Sequence, residues 1–295
     1  MGKAAKTVAD VIVAYRDTLT RAEKKLAAML MENYPVSGLG SITTVADNAG
    51  VSTPTVARMV QKLGFKGFPD FQARLHQELE ATLSNPIAKH DRWVANAPGA
   101  HVLNRFADAL NTNLRDTLAG LDTQDFDRAS DLIANTDCRL YLLGGRITQA
   151  LAAYTFTHLQ VVRPDVTLIG SGSSAWQHSV LDMKAGDVLM LFDIRRYERD
   201  MERLASLARA RGVQVILLTD EWASPAAKSA SIVFRVQIEA PSAWDSSVVT
   251  LFLLEALIEA AQSRMWAGTR ARMKTLENLF DDTRLFHKPL QNNKN

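Results

Sequence analysis

The sequence predicts an all-α domain followed by an α/β domain with a doubly wound, five-stranded parallel sheet. Up to about residue 83, apolar residues recur at helical spacing. After Thr136, short apolar runs of strand length alternate with helical stretches. Between the two patterns lie the helix-breaking residues Pro86, Asn96, Pro98 and Gly99. A chain of 295 residues is long enough for two domains, each with its own core.

Local signals place the helices of the first domain. Apolar spacing between residues 8 and 19 predicts a first helix. Thr20-Arg21-Ala22-Glu23 has the form of a capping box and opens a second helix, which Asn33 and Pro35 end. Two short helices follow, and a further helix over about residues 69–83 closes the domain.

Residues 45–67, VADNAGVSTPTVARMVQKLGFKG, contain the two short helices and a tight turn between them. Ser41 is expected to cap the first helix and Gly50 to supply the left-handed turn. Ser52 is expected to cap the second helix, with Pro54 tolerated in its first turn. This is the pattern of a helix-turn-helix, whose second helix enters the major groove of DNA. An ordinary helical hairpin with a solvated basic face is the alternative.

The residues of the second helix divide into a core side and a DNA side. Val56, Val60 and Leu63 repeat at helical spacing and should face the core. Hydroxyls and Arg58 can bond to base edges, and lysines to phosphates. The candidate DNA-binding residues are Ser52, Thr53, Thr55, Arg58, Met59, Lys62 and Lys66. Residues 1–90 hold 11 Lys and Arg against 8 Asp and Glu, a net +3 in a chain of net +2. Positive charge is therefore concentrated in this domain.

Helices are predicted in the second domain from residue 102 to 118 and around residues 126–133, followed by five strands. The expected strands cover residues 139–143, 166–169, 187–192, 213–218 and 232–236, and helices alternate with them at about 147–162, 174–181, 199–211 and 247–266. Continuous apolar strands between helices indicate a parallel sheet that is buried on both faces. Ligands of such sheets bind beyond the carboxyl ends of the strands.

The first domain resembles a known family. LTRAEKKLAAMLMENY and SITTVADNAGVSTPTVARMVQKLGFKGFPDFQARL, within residues 19–75, are similar to the N-terminal domain of RpiR-type transcriptional regulators. The resemblance implies a sugar-isomerase (SIS) domain, which is flavodoxin-like, over about residues 100–265. It also implies phosphorylated sugars as ligands, and dimers or tetramers that bind palindromic operators.

Two turns after predicted strands are candidate ligand sites. Gly144, Gly145, Arg146 and Thr148 follow the first strand, where a helix N-terminus favours an anion. Ser171, Ser173 and Ser174 follow the second strand and offer hydroxyls to a sugar or phosphate. Glycines used only for turn geometry, and a flexible serine loop, are the respective alternatives.

The turn after the third strand departs from the family pattern. Where the family usually has S-x-S-G-x-T, this chain has Asp193, Arg195 and Arg196. Two arginines beside a helix start can hold an anion bidentately, and Asp193 can pair with one of them or accept from a ligand. A surface salt-bridge cluster with Glu198 and Asp200 is the alternative.

Polar residues also follow the fourth strand and open the last long helix. Thr219 and Asp220 come directly after the fourth strand. Asp245 and Ser246 are further candidate ligand residues, because family members close the sugar site there. Capping of the last long helix is the simpler role for Asp245 or Ser246.

Several classes of function are not indicated. The single cysteine, Cys138, rules out an internal disulfide and a cysteine-cluster metal site, and we expect it to be buried. None of the six histidines follows a predicted strand directly, so no catalytic base is indicated. Neither a signal peptide nor a membrane-spanning run is recognisable, so we expect a cytoplasmic location. No cofactor and no metal site is predicted.

Together these observations predict a DNA-binding transcriptional regulator that senses a small anionic metabolite, a sugar phosphate or sugar acid. The expected domains are a helix-turn-helix domain over 1–90, a linker and the start of a connecting helix over 91–110, a SIS-like domain over 111–270 and a tail over 271–295. The expected partners are a DNA operator and further copies of the chain. The alternatives are a SIS domain that only dimerises, and a sugar-phosphate isomerase.

Overall fold

The computed structural model describes residues 7–32, 34–83, 101–170, 172 and 175–286. The chain divides into two compact units. The first comprises Met1–Phe106 with Ala240–Asp245, and the second comprises Ala107–Glu239 with Ser246–Asn295. The helix-breaking residues from Pro86 to Gly99 lie outside the described residues, so the boundary between the two predicted domains stays a prediction.

Among the described residues, five α-helices build the first unit around one core. They are α1 (Val8–Ala14), α2 (Arg21–Glu32), α3 (Ile42–Ala49), α4 (Thr53–Lys62) and α5 (Phe68–Leu83). The buried side chains come from every helix and follow helical spacing, as expected for amphipathic helices around a shared core. They include Ile12, Leu26, Val45, Val60 and Phe71.

The helix ends confirm most of the local predictions. Thr20 and Glu23 form the capping box, since the Thr20 N–H donates to Glu23 Oε2 at 2.7 Å. The Ser41 hydroxyl accepts from the Thr44 N–H at 3.1 Å and caps α3. Gly50 has φ 61°, in the left-handed region that a tight turn between two helices requires.

Ser52 differs in part from its prediction. It is the N-cap residue of α4, but its hydroxyl contacts the Thr55 hydroxyl at 2.9 Å and makes no hydrogen bond to the backbone of α4.

The second unit is built on five parallel strands. They are β1 (Leu140–Gly144), β2 (Val166–Leu168), β3 (Val188–Phe192), β4 (Gln214–Asp220) and β5 (Ile232–Val236). Their spatial order is β2-β1-β3-β4-β5, the flavodoxin-like doubly wound order. β1 and β3 pair from Leu140 opposite Val188 to Gly144 opposite Phe192. Every residue of these two strands is buried, which explains their continuous apolar sequence.

Helices cover both faces of the sheet. Among the described residues after α5, the α-helices are α6 (Val102–Gly120), α7 (Thr123–Ala134), α8 (Gln149–Val162), α9 (Ala175–Asp182), α10 (Arg199–Ala210), α11 (Val248–Arg264) and α12 (Trp266–Thr283). Alternate strand residues point to opposite faces. Leu140 and Leu142 pack against α7, α8 and α11, whereas Tyr141 and Leu143 pack against α9 and α10.

The chain after α11 differs from its prediction. We expected the last helix to end near residue 266 and a tail over residues 271–295. The structure instead continues with α12, and Thr269 in this helix is buried and donates its hydroxyl to the Val162 carbonyl at 3.1 Å.

Cys138 is only half-buried. Within the described part of the chain, no helix has the length and apolarity needed to cross a bilayer.

Candidate DNA-reading surface and ligand-binding edge

α4 presents a polar face opposite the side that enters the core. Val56, Val60 and Leu63 are buried, as their spacing predicts. Ser52, Arg58 and Lys66 are exposed, and Thr53 and Thr55 are half-buried. The exposed face therefore holds hydroxyls near the N-terminus of α4 and a guanidinium one turn later. These groups are suited to hydrogen bonding with base edges and phosphates.

Met59 does not belong to this face, so the prediction of an exposed Met59 is wrong. Its side chain is 0% exposed and lies in the core of the first unit. Met59 follows Val56 by three residues and precedes Leu63 by four, which places it on the buried stripe. It stabilises the core of the first unit.

Lys62 makes intramolecular contacts. Its Nζ lies 2.8 Å from Glu23 Oε2 and donates to the Thr18 carbonyl at 3.0 Å. These contacts fix the C-terminal end of α4 against the start of α2. Lys62 therefore has a structural role in addition to the phosphate contact that its sequence position predicts.

The carboxyl end of β1 forms a closed turn. The Gly144 N–H donates to Gln149 Oε1 at 2.8 Å. The Gly145 N–H donates to Thr148 Oγ1 at 2.8 Å and to the Phe192 carbonyl at 3.1 Å. Thr148 in turn donates its hydroxyl to the Phe192 carbonyl at 2.6 Å. Thr148 therefore links the turn after β1 to the end of β3.

A carboxylate from the next turn completes this arrangement. The Arg146 N–H donates to Glu198 Oε1 at 2.7 Å. A Cβ atom on Gly145 would lie 2.9 Å from the same oxygen, so a larger residue at this position would displace the Glu198 carboxylate. The side chain of Arg146 is exposed. Sequence analysis assigned Glu198 only to an alternative surface cluster and missed this contact.

Asp193 is buried among hydrogen-bond donors, and it pairs with no arginine within the described part of the chain, in contrast to one of the roles expected for it. It is 2% exposed, accepts from the Ser224 hydroxyl, and accepts from the Glu198 N–H at 3.3 Å. Burial raises the pKa of Asp193 to about 7, and the nearby charges of Asp220 and Glu198 act in the same direction.

Asp220 holds the turn after β3 in place. Its carboxylate accepts from the Arg195 N–H at 2.8 Å, from the Tyr197 hydroxyl at 2.5 Å and from the Trp222 N–H at 3.0 Å. Burial raises the pKa of Asp220 and also that of Tyr197 above their usual ranges. In the sequence, the signal for this role is its position directly after the predicted fourth strand, and in the structure Asp220 is the last residue of β4.

Arg195 and Arg196 have different environments. The side chain of Arg195 is 2% exposed, lies over the Trp222 ring at 4.2 Å from its centroid, and reaches Glu239 at 3.5 Å. Arg196 is exposed. The burial of Arg195 does not fit the surface cluster with Glu198 and Asp200 that was the alternative, whereas the exposure of Arg196 is compatible with it.

Glu221 lies next to this arrangement. Burial raises its pKa to about 8, and Oε2 has no hydrogen-bond partner among the residues that the structure describes.

The remaining candidate ligand residues follow β2 or precede α11. Ser171, Ser173 and Ser174 lie outside the described residues. Ser246 is at the start of α11, where its hydroxyl accepts from the Val248 N–H at 3.3 Å, in line with the simpler capping role. Asp245 is half-buried. The turns after β1 and β3 thus bring together Gly144, Gly145, Arg146, Thr148 and Asp193.

Comparison with protein families assigns both parts of the chain. Residues 6–82 match the helix-turn-helix domain of the rpiR family, and residues 132–260 match the SIS domain. The chain belongs to the RpiR family of transcriptional regulators. The two matched domains, in this order, are those that the resemblance in residues 19–75 implied.

Two transcriptional regulators are similar in sequence to this chain over nearly its whole length. The transcriptional regulator HexR of Pseudomonas aeruginosa is 24% identical over 290 residues, 95% of this chain and 97% of HexR. HexR of Escherichia coli is 26% identical over 281 residues, 93% of this chain and 94% of that protein.

Two solved structures are similar in fold. The sugar isomerase domain of an RpiR transcription factor from Sphaerobacter thermophilus has a TM-score of 0.55 and 21% identity, and the match covers 60% of this chain and 97% of that one. NanR of Vibrio vulnificus, in complex with ManNAc-6P, has a TM-score of 0.54 and 17% identity, with 94% and 100% of the chains covered.

Proposed function

We propose that this RpiR-family regulator reads a DNA operator through the exposed face of α4. We further propose that a small anionic metabolite, a sugar phosphate or sugar acid, binds at the carboxyl edge of the sheet. The metabolite changes operator affinity because it binds one arrangement of the protein more tightly than another.

One observation carries the DNA-binding part of the proposal. α3, the left-handed Gly50 and α4 form a helix-turn-helix whose second helix buries Val56 and Val60 and exposes Arg58. A helix of this kind places its exposed side chains against base edges in the major groove. Arg58 is long enough to reach O6 and N7 of a guanine together.

The ligand-binding part is supported by charge and by a related structure. The side chains of Arg146 and Arg196 are exposed and follow β1 and β3, at the edge where doubly wound sheets bind ligands. Guanidinium groups favour phosphate and carboxylate partners. NanR, which has a similar fold, holds the sugar phosphate ManNAc-6P.

Substitution of Arg58 tests the DNA-binding part. We expect Arg58→Ala to weaken specific operator binding by about 1–3 kcal/mol, measured by fluorescence anisotropy on an operator selected from random duplexes. Arg270→Ala is the matched control, because Arg270 is exposed on α12 and the substitution removes the same charge. Equal affinity of the Arg58→Ala variant and the control would remove Arg58 from the reading surface.

A thermal-shift screen tests the ligand-binding part against the alternative that the SIS domain only dimerises. A ligand at 100 times its dissociation constant stabilises the protein by about 2.7 kcal/mol. The screen compares phosphosugars, sugar acids and unphosphorylated sugars. The alternative has support in the structure, since internal groups already accept from the N–H groups of Gly144, Gly145 and Arg146. If no compound stabilises the protein, the result favours a SIS domain that only dimerises.

A further inference from the structure

The side chain of Glu198 does not serve the helix that it begins. Glu198 is the N-cap residue of α10, yet its side chain makes no hydrogen bond to the first turn of that helix. Its Oε1 instead accepts from the Arg146 N–H, 52 residues away in the sequence, at 2.7 Å. A carboxylate therefore already occupies the turn between β1 and α8.

The turn is shaped to receive this carboxylate. Gly145 leaves room for it, because a Cβ atom there would lie 2.9 Å from Glu198 Oε1. The Gly145 N–H is used within the turn, by Thr148 Oγ1 and the Phe192 carbonyl. The Arg146 N–H is thus the donor of this turn that bonds to a carboxylate, and the exposed Arg146 and Arg196 give the turns after β1 and β3 positive charge.

We propose that Glu198 is an internal competitor of the anionic effector, so that a phosphate or carboxylate group of the effector binds at the Arg146 N–H only by displacing the Glu198 carboxylate. This inference rests on the ligand-binding part of the proposed function. Since Glu198 is an exposed residue, rotation of its side chain into solvent frees the site. The backbone of Glu198 stays tied to Asp193 through its own N–H.

The competition sets how tightly an effector binds. An effector must replace one charge-assisted hydrogen bond and must also approach the negative side chain that it displaces. Removal of the Glu198 charge should therefore raise affinity for a small oxyanion by roughly 10- to 100-fold. The same removal should leave the described core intact, because the Glu198 side chain is outside both apolar clusters of the second unit.

The test uses two oxyanion probes, inorganic phosphate and D-gluconate, each titrated at constant ionic strength. Binding is measured by isothermal titration calorimetry on the full chain and on Glu198→Gln, Glu198→Ala and Asp200→Asn. Asp200→Asn is the matched control, since Asp200 lies two residues further on and pairs with Arg203 at 3.5 Å. Glu198→Gln keeps the shape of the side chain and covers the case in which Glu198→Ala fails to fold.

We expect tighter binding of at least one probe to both Glu198 variants and no gain for Asp200→Asn. A gain with phosphate alone indicates a phosphorylated effector, and a gain with gluconate alone indicates a sugar acid. Equal binding by all four proteins overturns the competitor role but leaves an anion-sensing domain in place. If no protein binds either probe, the competitor role is overturned, and the screen of larger metabolites decides the proposed function separately.

Discussion

The buried carboxyl of Asp193 should make the stability of the second unit depend on pH. Its pKa rises from an ordinary value of 3.8 to about 7 because burial disfavours the charged form. A group whose pKa is higher in the folded state binds its proton more tightly there. The stability that it contributes is fully present below pH 3.8 and is lost as the pH rises through about 7.

The size of the effect follows from the shift. A difference of roughly 3 pH units at about 1.4 kcal/mol each gives about 4 kcal/mol across the whole range. Asp193→Asn is neutral at every pH and can still accept one hydrogen bond, from Ser224 or from the Glu198 N–H. The wild-type chain should therefore lose up to about 1.4 kcal/mol per pH unit relative to this variant between pH 5 and 7.

Urea denaturation at pH 5, 6, 7 and 8, followed by tryptophan fluorescence, measures this difference. Three of the five tryptophans, Trp176, Trp222 and Trp266, belong to the second unit, so the larger part of the signal comes from that unit. Asp200→Asn should follow the wild-type profile. Parallel profiles of the wild type and Asp193→Asn would refute the reasoning, because the other carboxyl groups with raised pKa values are present in both proteins.

Two further substitutions test the first unit. Met59→Ala should lower the stability of the first unit by about 2–5 kcal/mol, because it empties a fully buried site. Operator affinity at low temperature should stay within about twofold of wild type. A selective loss of DNA binding with unchanged melting by circular dichroism would return Met59 to the reading surface. Gly50→Ala should cost about 1 kcal/mol because of the positive φ, whereas Gly120→Ala, in equally open space at the end of α6, should be nearly neutral. Equal effects of the two glycine substitutions would contradict this explanation.

The elements of the fold were predictable because their signals are local. Capping residues and apolar spacing lie within a few positions of the helices they define, and the buried strands are continuous apolar runs. Met59 was also predictable, since its spacing from Val56 and Leu63 places it on the buried stripe. Arg146 and Asp193 follow β1 and β3 as predicted, and they lie at one edge because parallel strands end on the same side of the sheet.

The contacts of those polar residues were not predictable. Glu198 bonds to Arg146, and Asp220 to Arg195, across 52 and 25 residues of sequence. Such pairs depend on which strands are neighbours and on how each turn bends. The composition of the turn after β3 shows that the family pattern has changed, but it does not show that Arg195 turns inward onto Trp222.

The two edges of the sheet limit how copies of this chain can associate. β2 at one edge is only three residues long, and β5 at the other edge carries the exposed Arg235 at the fourth of its five positions. Short strands and outward charges oppose the addition of a further strand, which is how natural sheets avoid edge-to-edge aggregation. A stable oligomer of this chain is therefore expected to form through helix faces, and each protomer would keep its own separate sheet.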